Sequence, residues 1–261
     1  MTTLAWARQF LLALALSAAA LAQSATYTSL VAGTSPGVAP GAAASMFGDK
    51  LASTTAIASA PYPTTLGGIT LQVTDSAGVT RGAPLLYVSP SQVNYIVPLA
   101  TAIGPATVRV DQSITLSAAV HVDAVLPALF TADGDGQGVV AATAIRTVLP
   151  TNISSPVPVF QCDAPGKCHS VPIDPGVDAP VSVTLYATGI HNRSRDSNVT
   201  LNIGGVLVPI SSIQSFDETS VLAGIDLVTF PVLLTLRGKG EVDVFLVVDG
   251  FASNMARINI L

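Results

Sequence analysis

Apolar and polar residues alternate along much of the chain with a period of two, which is the period of a half-buried β-strand. The clearest alternating runs are residues 69–73, 106–111, 114–123 and 241–248. Gly, Pro, Ser, Asn and Asp stand between these runs, and they are the residues that tight turns require. Helix signals are nearly absent. The pattern therefore predicts an all-β protein.

The stretch 83–98 is a pair of short strands on either side of a Ser-Pro-Ser corner at residues 89–91. The second of these strands places Val93, Tyr95 and Val97 on one face and Gln92 and Asn94 on the other. Proline closes both ends of the stretch, which suits a sheet edge or a strand boundary. We expect one half of a β-sandwich to be built around this unit.

The second half of the chain repeats the order of runs found in the first half. Residues 181–187 stand where the Met46-Phe47 strand stands, and residues 199–203 match residues 69–73. Asp249-Gly250 separates two alternating runs, which is a strong hairpin signal, and matches the closing hairpin of the first half. Two copies of one β-unit of about 80 to 100 residues fit tandem sandwiches of immunoglobulin-like size.

These repeats predict a first β-sandwich at residues 41–124 and a second at residues 125–261. The connector at residues 125–178 is too long for a structureless linker, so it is assigned to the second sandwich. It is expected to carry its own strands near residues 139–145 and 157–162.

The N-terminus has the pattern of a secretory signal peptide. Arg8 precedes the apolar run 10–21, which ends in a small-residue motif at Ala22. The alternative is a transmembrane anchor, but a helical span needs about 20 apolar residues. We predict cleavage after Ala22, a flexible lead-in at residues 23–40, and a secreted protein that is not an integral membrane protein.

Charge and composition exclude several classes of partner. Hydrophobic residues make up 49% of the chain, charged residues 10%, and the net charge is −5, with no cluster of basic residues. Nucleic acid is excluded as the expected partner, because its binding requires Lys and Arg that neutralise phosphates. An anionic membrane surface is disfavoured for the same reason.

The cysteines Cys162 and Cys168 flank a Pro-Gly turn. In a secreted chain such a pair predicts a local disulfide that pins a hairpin. A metal site would need more ligands than the two cysteines and the adjacent His169 provide. A redox pair is disfavoured because its usual spacing is two residues.

Catalytic and metal-binding signatures are weak. Asp133 and Asp135 resemble the start of a calcium loop, but Ala144 stands where an EF-hand has its bidentate acid, which favours a Gly-rich turn. The histidines are accompanied by no G-x-S-x-G nucleophile motif. The only glutamates are Glu218 and Glu241, and no spacing indicates that they face each other. We expect no enzyme activity, no cofactor and no metal.

A polar loop in the second half gathers several of the few charges of the chain. The residues that we select as a candidate recognition site are His191, Asn192, Arg193, Arg195 and Asp196. The loop is either simply solvated or a contact surface, since loops on rigid sandwiches commonly carry binding.

Several motifs together resemble those of the uncharacterised C-terminal domain family of Solibacter and other Acidobacteria. The segments that carry the resemblance are 40–41, 66–70, 83–94, 127–131, 136–138, 185–190 and 238–244. The resemblance implies a secreted bacterial β-rich module with two immunoglobulin-like (IPT/TIG-like) halves, of the kind found in cell-surface proteins. It implies no activity and no catalytic residues.

Two functions remain as hypotheses at this point. The first is a non-enzymatic interaction module that binds an unknown extracellular or envelope protein. The second is a carbohydrate-binding module, with a polysaccharide as partner, or a cryptic secreted hydrolase. Sugar sites usually present aromatic platforms. The only tryptophan, Trp6, is in the leader, and Tyr87 and Tyr95 have the pattern of strand residues, so we favour the first hypothesis.

Overall fold

The computed structural model of the chain describes residues 27–29, 37–111, 116–134 and 136–261. The predicted signal peptide, most of the lead-in and Asp135 lie outside these residues. Within them the secondary structure is β-strand with two short 3-10 turns, at Asp196–Asn198 and Leu234–Leu236, and no α-helix. The prediction of an all-β fold is therefore confirmed.

The strands are numbered in chain order. In the first half they are β1 (Tyr27–Ser29), β2 (Gly37–Val38), β3 (Ala43–Phe47), β4 (Ala56–Ile57), β5 (Thr65–Leu66), β6 (Ile69–Thr74), β7 (Thr80–Gly82), β8 (Leu85–Val88), β9 (Gln92–Ile96), β10 (Gly104–Asp111) and β11 (Leu116–Val122). In the second half they are β12 (Ala128–Leu129), β13 (Ala142–Val148), β14 (Ile153–Val157), β15 (Phe160–Ala164), β16 (Lys167–Ser170), β17 (Val181–Thr188), β18 (Val199–Ile203), β19 (Val206–Val208), β20 (Ser212–Ser215), β21 (Asp226–Pro231), β22 (Gly240–Val248), β23 (Phe251–Ala252) and β24 (Ala256–Ile260).

Two sheets enclose the core of the first half. One has the strand order β1-β3-β9-β8-β4, and the other has the order β2-β11-β10-β6-β5 with β7 beside β6. Their facing side chains form one apolar cluster that includes Met46 and Tyr95 from the first sheet and Leu71 and Val108 from the second. Alternate residues of β6, β10 and β11 point into this core, which is the reason for their period-two sequence pattern.

The second half is built in the same way. One sheet has the order β14-β13-β17-β21-β20 with β12 beside β17, and the other joins β19, β18 and β22, with β23 and β24 beside β22. Leu185 and Phe230 from the first sheet meet Leu201 and Leu246 from the second in a single core. Each half is thus a β-sandwich.

The order of the central strands is the same in the two sandwiches. The sequence β3-β9-β8 corresponds to β17-β21-β20, and β7-β6-β10-β11 corresponds to β19-β18-β22-β24. This agreement is what the repeated order of runs in the sequence predicts. The Asp249-Gly250 turn lies between β22 and β23, as its hairpin signal predicts.

The Ser-Pro-Ser corner lies between β8 and β9, where the sequence places it. The hydroxyl of Ser89 accepts the backbone N–H of Gln92 at 3.0 Å. Gln92 and Asn94 are both buried, although they face away from the core of the first sandwich. The Oδ1 atom of Asn94 accepts from the Ser45 hydroxyl at 2.9 Å and from the Gln92 amide at 2.7 Å. Strand β9 is therefore buried on both faces, which its alternating pattern did not indicate.

The connector differs from its predicted strands. The expected strand at 157–162 is divided, since β14 ends at Val157 and β15 begins at Phe160. Pro158 and Val159 lie between them, and β14 pairs with β13. Strand β15 pairs only with β16 in a separate two-stranded sheet, whereas β13 joins β17 in the second sandwich.

The two sandwiches are in contact. Ala43 from β3 packs with Ala128, Phe130 and Ala141 in a buried apolar cluster, against which Tyr186 also packs. The segment 216–225, between β20 and β21, adds polar contacts. Its Glu218 carboxylate accepts the backbone N–H of Leu99, and its Val221 carbonyl accepts the Tyr62 hydroxyl at 3.3 Å. This contact lies beside the candidate recognition loop.

Candidate functional site

The predicted recognition residues lie in one connection, residues 190–198 between β17 and β18, which we call the His191 loop. The chain leaves β17 through Gly189, whose φ is 78°. A Cβ atom at this position would lie 2.0 Å from the carbonyl oxygen of Leu126. Only glycine combines the left-handed conformation with such a close approach of two backbones. The start of the loop is therefore fixed by the backbone.

The base of the loop rests on a buried carboxyl group. Asp226, the first residue of β21, is 3% exposed, and its Oδ2 atom accepts the backbone N–H of Ile190 at 3.0 Å. The hydroxyl of Ser215 donates to the same carboxylate. Burial raises the pKa of Asp226, and these two hydrogen bonds and the charges of His191 and Arg193 oppose that rise.

Arg193 holds the loop together from within. Its Nη1 atom donates to the carbonyl of Ile190 at 3.2 Å and to the Ser215 hydroxyl at 2.9 Å. Its Nε atom donates to Asp196 at 2.6 Å. The side chain of Arg193 is only 13% exposed, whereas that of Asp196 is 69% exposed. Arg193 therefore supports the loop and is not presented to a partner.

The far end of the loop is held by the turn between β22 and β23. The carboxylate of Asp249 accepts the backbone N–H of Ser194 at 2.8 Å, the Ser194 hydroxyl at 2.5 Å and the side-chain amide of Asn198 at 3.0 Å. The Ser194 bonds, together with Asn198, lower the pKa of Asp249. The loop is thus attached to two separate strands of the sandwich.

His191 faces the first sandwich. It is half-buried, and a Cβ atom added at Gly41 would lie 3.5 Å from the Cβ and Cγ atoms of His191. Its Nδ1 atom is buried and has no hydrogen-bond partner among the described residues. The pKa of Asp217 is lowered, chiefly by the hydroxyl of Thr219, with a contribution from His191.

The outer side of the loop presents Asn192, Arg195 and Asp196, which are all exposed. Within the described part of the chain, Arg195 is the one arginine whose guanidinium makes no hydrogen bond or ion pair. The other described arginines bond to carboxylates or backbone carbonyls: Arg81, Arg109, Arg146, Arg193, Arg237 and Arg257. The charge of Arg195 lowers the pKa of Asp249 without contacting it.

The structure brings the five predicted loop residues together but divides them between two directions. His191 and Arg193 point inward, and the other three point outward. Sequence reasoning missed Ser215 and Asp226, which come from neighbouring strands of the sheet and carry no local motif. It identified Asp249 only as a hairpin residue, because no spacing relates it to Ser194.

The predicted disulfide between Cys162 and Cys168 is confirmed. The two cysteines pair across the β15–β16 hairpin. Asp133, for which the sequence favours a Gly-rich turn over a calcium loop, accepts the backbone N–H of Cys168 at 2.6 Å and so anchors this hairpin.

The other titratable residues considered in the sequence analysis are not brought together in one site. His121 and His169 pair with Asp123 and Asp163 at 3.6 and 3.5 Å on exposed strands. Glu241 accepts the Ser170 hydroxyl at 2.7 Å. In the described residues, no three His, Cys, Asp or Glu side chains are grouped so that they could hold a metal ion. No helix in the described ranges has the length and hydropathy to span a bilayer.

No protein-family model matches this chain, and a search of curated proteins gave no significant match. The resemblance to the Acidobacteria domain family therefore stays a prediction.

Proposed function

We propose that the protein is a secreted, non-enzymatic immunoglobulin-like module that binds an extracellular or cell-envelope protein through the outer side of the His191 loop. The proposal names three residues as the contact surface: Asn192, Arg195 and Asp196.

The attachment of the loop supports this proposal. Asp226 fixes its start, Arg193 fixes its middle and Asp249 fixes its far end. A loop that is held before binding loses less conformational entropy when a partner docks. A purely solvated connection needs no such set of supports.

The observation that carries the proposal is the guanidinium of Arg195, which has no hydrogen-bond or ion-pair partner in the described parts of the chain. In a chain of net charge −5, the other described arginines are bonded within the protein. A guanidinium offers a planar fork of donors that matches a carboxylate. Arg195 therefore suits a partner that presents an acidic side chain, and the exposed amide of Asn192 in the same loop offers a further donor and acceptor.

The test is a pull-down with the immobilised protein and a solubilised cell-envelope fraction, run beside a sedimentation assay with insoluble polysaccharides. We expect the wild type to retain a specific protein and R195A to lose it. The matched control is R109A, because Arg109 is also an exposed arginine but is bonded to Asp111 at 2.8 Å in the other sandwich.

Equal retention by R195A and R109A would show that the loop is not the contact surface. Sedimentation with one polysaccharide, without retention of a protein, would favour the carbohydrate-binding alternative. Export is tested separately by the N-terminal sequence of protein recovered from outside the cytoplasm, which we expect to begin at Gln23.

A further inference from the structure

Asp226 controls the point at which the His191 loop leaves the sheet. Its carboxyl bonds to the N–H of Ile190, which is fully buried and follows the Gly189 turn directly. Any movement of the loop away from β21 must break this bond. Water would then reach the carboxyl group.

The charged groups around Asp226 come from the loop and from the neighbouring segment. His191 and Arg193 act on it from the loop, and Asp217, which interacts electrostatically with His191, comes from the segment between β20 and β21. The Ser215 hydroxyl, on β20, lies between Arg193 and Asp226: it accepts a hydrogen bond from the Arg193 guanidinium and donates one to the Asp226 carboxyl group. Asp226 forms no ion pair with any described Lys, Arg or His.

We propose that the Asp226 carboxyl is a proton-operated latch for the His191 loop. With the proton bound, the neutral acid is compatible with its buried position and the loop stays on β21. With the proton lost, the carboxylate is held out of water with no direct counter-ion from the described side chains, and opening of the loop becomes more frequent because it hydrates the charge.

The direction follows from proton linkage. The pKa of Asp226 is raised in the closed form, chiefly by burial. The closed form is therefore most stable below the ordinary pKa of an aspartate, and this stability is lost as the pH rises through the raised pKa. A single linked proton changes the opening equilibrium by up to about tenfold per pH unit between these two pKa values and not above them.

His191 gives an independent reason to expect opening. In the closed form its Nδ1 atom is buried and has no partner within the described ranges, and an unsatisfied buried polar atom disfavours the state that contains it. Opening of the loop would hydrate this atom as well as the carboxylate. Two buried groups, the Asp226 carboxylate and the His191 Nδ1 atom, therefore disfavour the closed loop. The substitution D226N removes only the first of them.

The test is hydrogen exchange of the Ile190 amide in the intact protein between about pH 4 and pH 8, with rates corrected for intrinsic exchange. In the wild type we expect the protection factor to fall with rising pH and then to level off. In D226N we expect a flat profile, because asparagine keeps an acceptor for Ile190 and does not ionise. The control D243N removes an exposed carboxyl that pairs with Arg257 at 3.1 Å, and should keep the wild-type profile.

Parallel profiles for the wild type and D226N would overturn the latch. If D226N does not fold, carboxyl-carbon NMR of the wild type serves instead: the Asp226 carboxyl and the Ile190 amide should titrate together, and independent titration would overturn the proposal.

The biological use of the latch, a pH-dependent presentation of the recognition surface, rests on the proposed function. The exchange experiment itself uses no partner. Its outcome is therefore separate from the pull-down with R195A, and either proposal can fail while the other stands.

Discussion

The hydroxyl of Thr188 accepts the backbone N–H of Ala43 at 2.9 Å, across a separation of 145 positions in the chain. The same hydroxyl donates to the carbonyl of Gly224 at 2.7 Å. One buried oxygen thus joins the first sandwich, the second sandwich and the segment that leads into β21. A Cβ atom at Gly224 would lie 3.2 Å from the Cβ of Ala43, so the three parts approach too closely for water to replace the bonds.

We expect T188V to weaken the contact between the sandwiches. Valine matches the shape of threonine but leaves the N–H of Ala43 and the carbonyl of Gly224 without their partner. An unsatisfied buried polar group costs about 1 to 3 kcal/mol, so the free energy of unfolding should fall by about 2 kcal/mol or more. Denaturant unfolding measures this loss.

The matched control is T184V, because the Thr184 hydroxyl bonds to Thr229 within the second sandwich at 2.9 Å in a partly buried position. Water can replace that bond, so its loss should cost less. Equal losses of stability in T188V and T184V would contradict the role given to Thr188.

A second prediction concerns Asp75, whose side chain is buried in the first sandwich. Its carboxylate accepts the backbone N–H groups of Ala102, Ala77 and Val79 and the guanidinium of Arg81. These bonds, with that of Ala102 the largest cause, lower the pKa of Asp75 to about 2. We expect D75N to lower the melting temperature at neutral pH by several degrees, because an amide nitrogen cannot accept the bonds that one carboxylate oxygen accepts.

The lowered pKa of Asp75 determines how the difference in stability between the wild type and D75N changes with pH. A carboxyl with a lowered pKa contributes stability above its ordinary pKa and loses it as the pH falls through the lowered value. The wild type should therefore melt at a higher temperature than D75N at neutral pH, and this difference should disappear as the pH approaches about 2. Thermal melts across this range measure it. If the difference in melting temperature between the wild type and D75N did not change with pH, the ionised carboxylate of Asp75 would not be the source of the stability.

A third prediction concerns Asp249, which holds the far end of the His191 loop. D249N should raise hydrogen exchange at residues 194–198 at neutral pH, because the neutral amide is a weaker acceptor and repels the N–H donors of Ser194 and Asn198. Asparagine tolerates the φ of 48° at this position, so the turn itself should remain. Since the pKa of Asp249 is lowered, the part of this protection that Asp249 provides should be lost as the pH falls through the lowered value.

The control for D249N is D174N. The pKa of Asp174 is also lowered, chiefly by the backbone N–H of Gly176, but Asp174 has no contact with the His191 loop. If D174N raised exchange at residues 194–198 as much as D249N does, the effect would come from general destabilisation.

A fourth prediction concerns the Cys162–Cys168 disulfide. The bond lies on an exposed hairpin that forms its own two-stranded sheet, and closing so small a loop restricts the unfolded chain by only about 2 kcal/mol. We expect the double variant C162S/C168S to be cut faster by trypsin after the exposed Lys167, while its global melting temperature changes little. Cleavage after Lys239, in the second sandwich, is the internal reference, and a parallel rise there would indicate global loss of structure.

Local features of the molecule were predictable because their causes are local. The period-two pattern of residues 69–73 sets which side chains of β6 point inward, and the Ser-Pro-Ser corner sets the break between β8 and β9. Asp249-Gly250 is a hairpin turn by its own dihedral preferences. The spacing of Cys162 and Cys168 identified the disulfide in the same way, since both cysteines lie on one hairpin.

The division of the connector into strands was predicted less well. Residues 139–145 overlap β13, but the strand expected at 157–162 combines the end of β14 with the start of β15. The apolar pattern runs through Pro158 and Val159 without a break, but the pairing partner changes there from β13 to β16. Hydrophobic periodicity reports the burial of side chains and does not identify the partner of a strand.

The sequence by itself determined that this chain forms strands and that residues 191–198 form a polar loop. Only the tertiary structure decided that Asp226 and Asp249 hold this loop, that His191 and Arg193 turn inward, and that Arg195 has no partner among the residues that the structure describes. The physical reason is the separation in the chain over which each kind of interaction acts. Strand period and turn chemistry act between residues that are close in the chain, whereas a buried hydrogen bond such as that of Asp226 with Ile190 depends on which strands pair in the sheet.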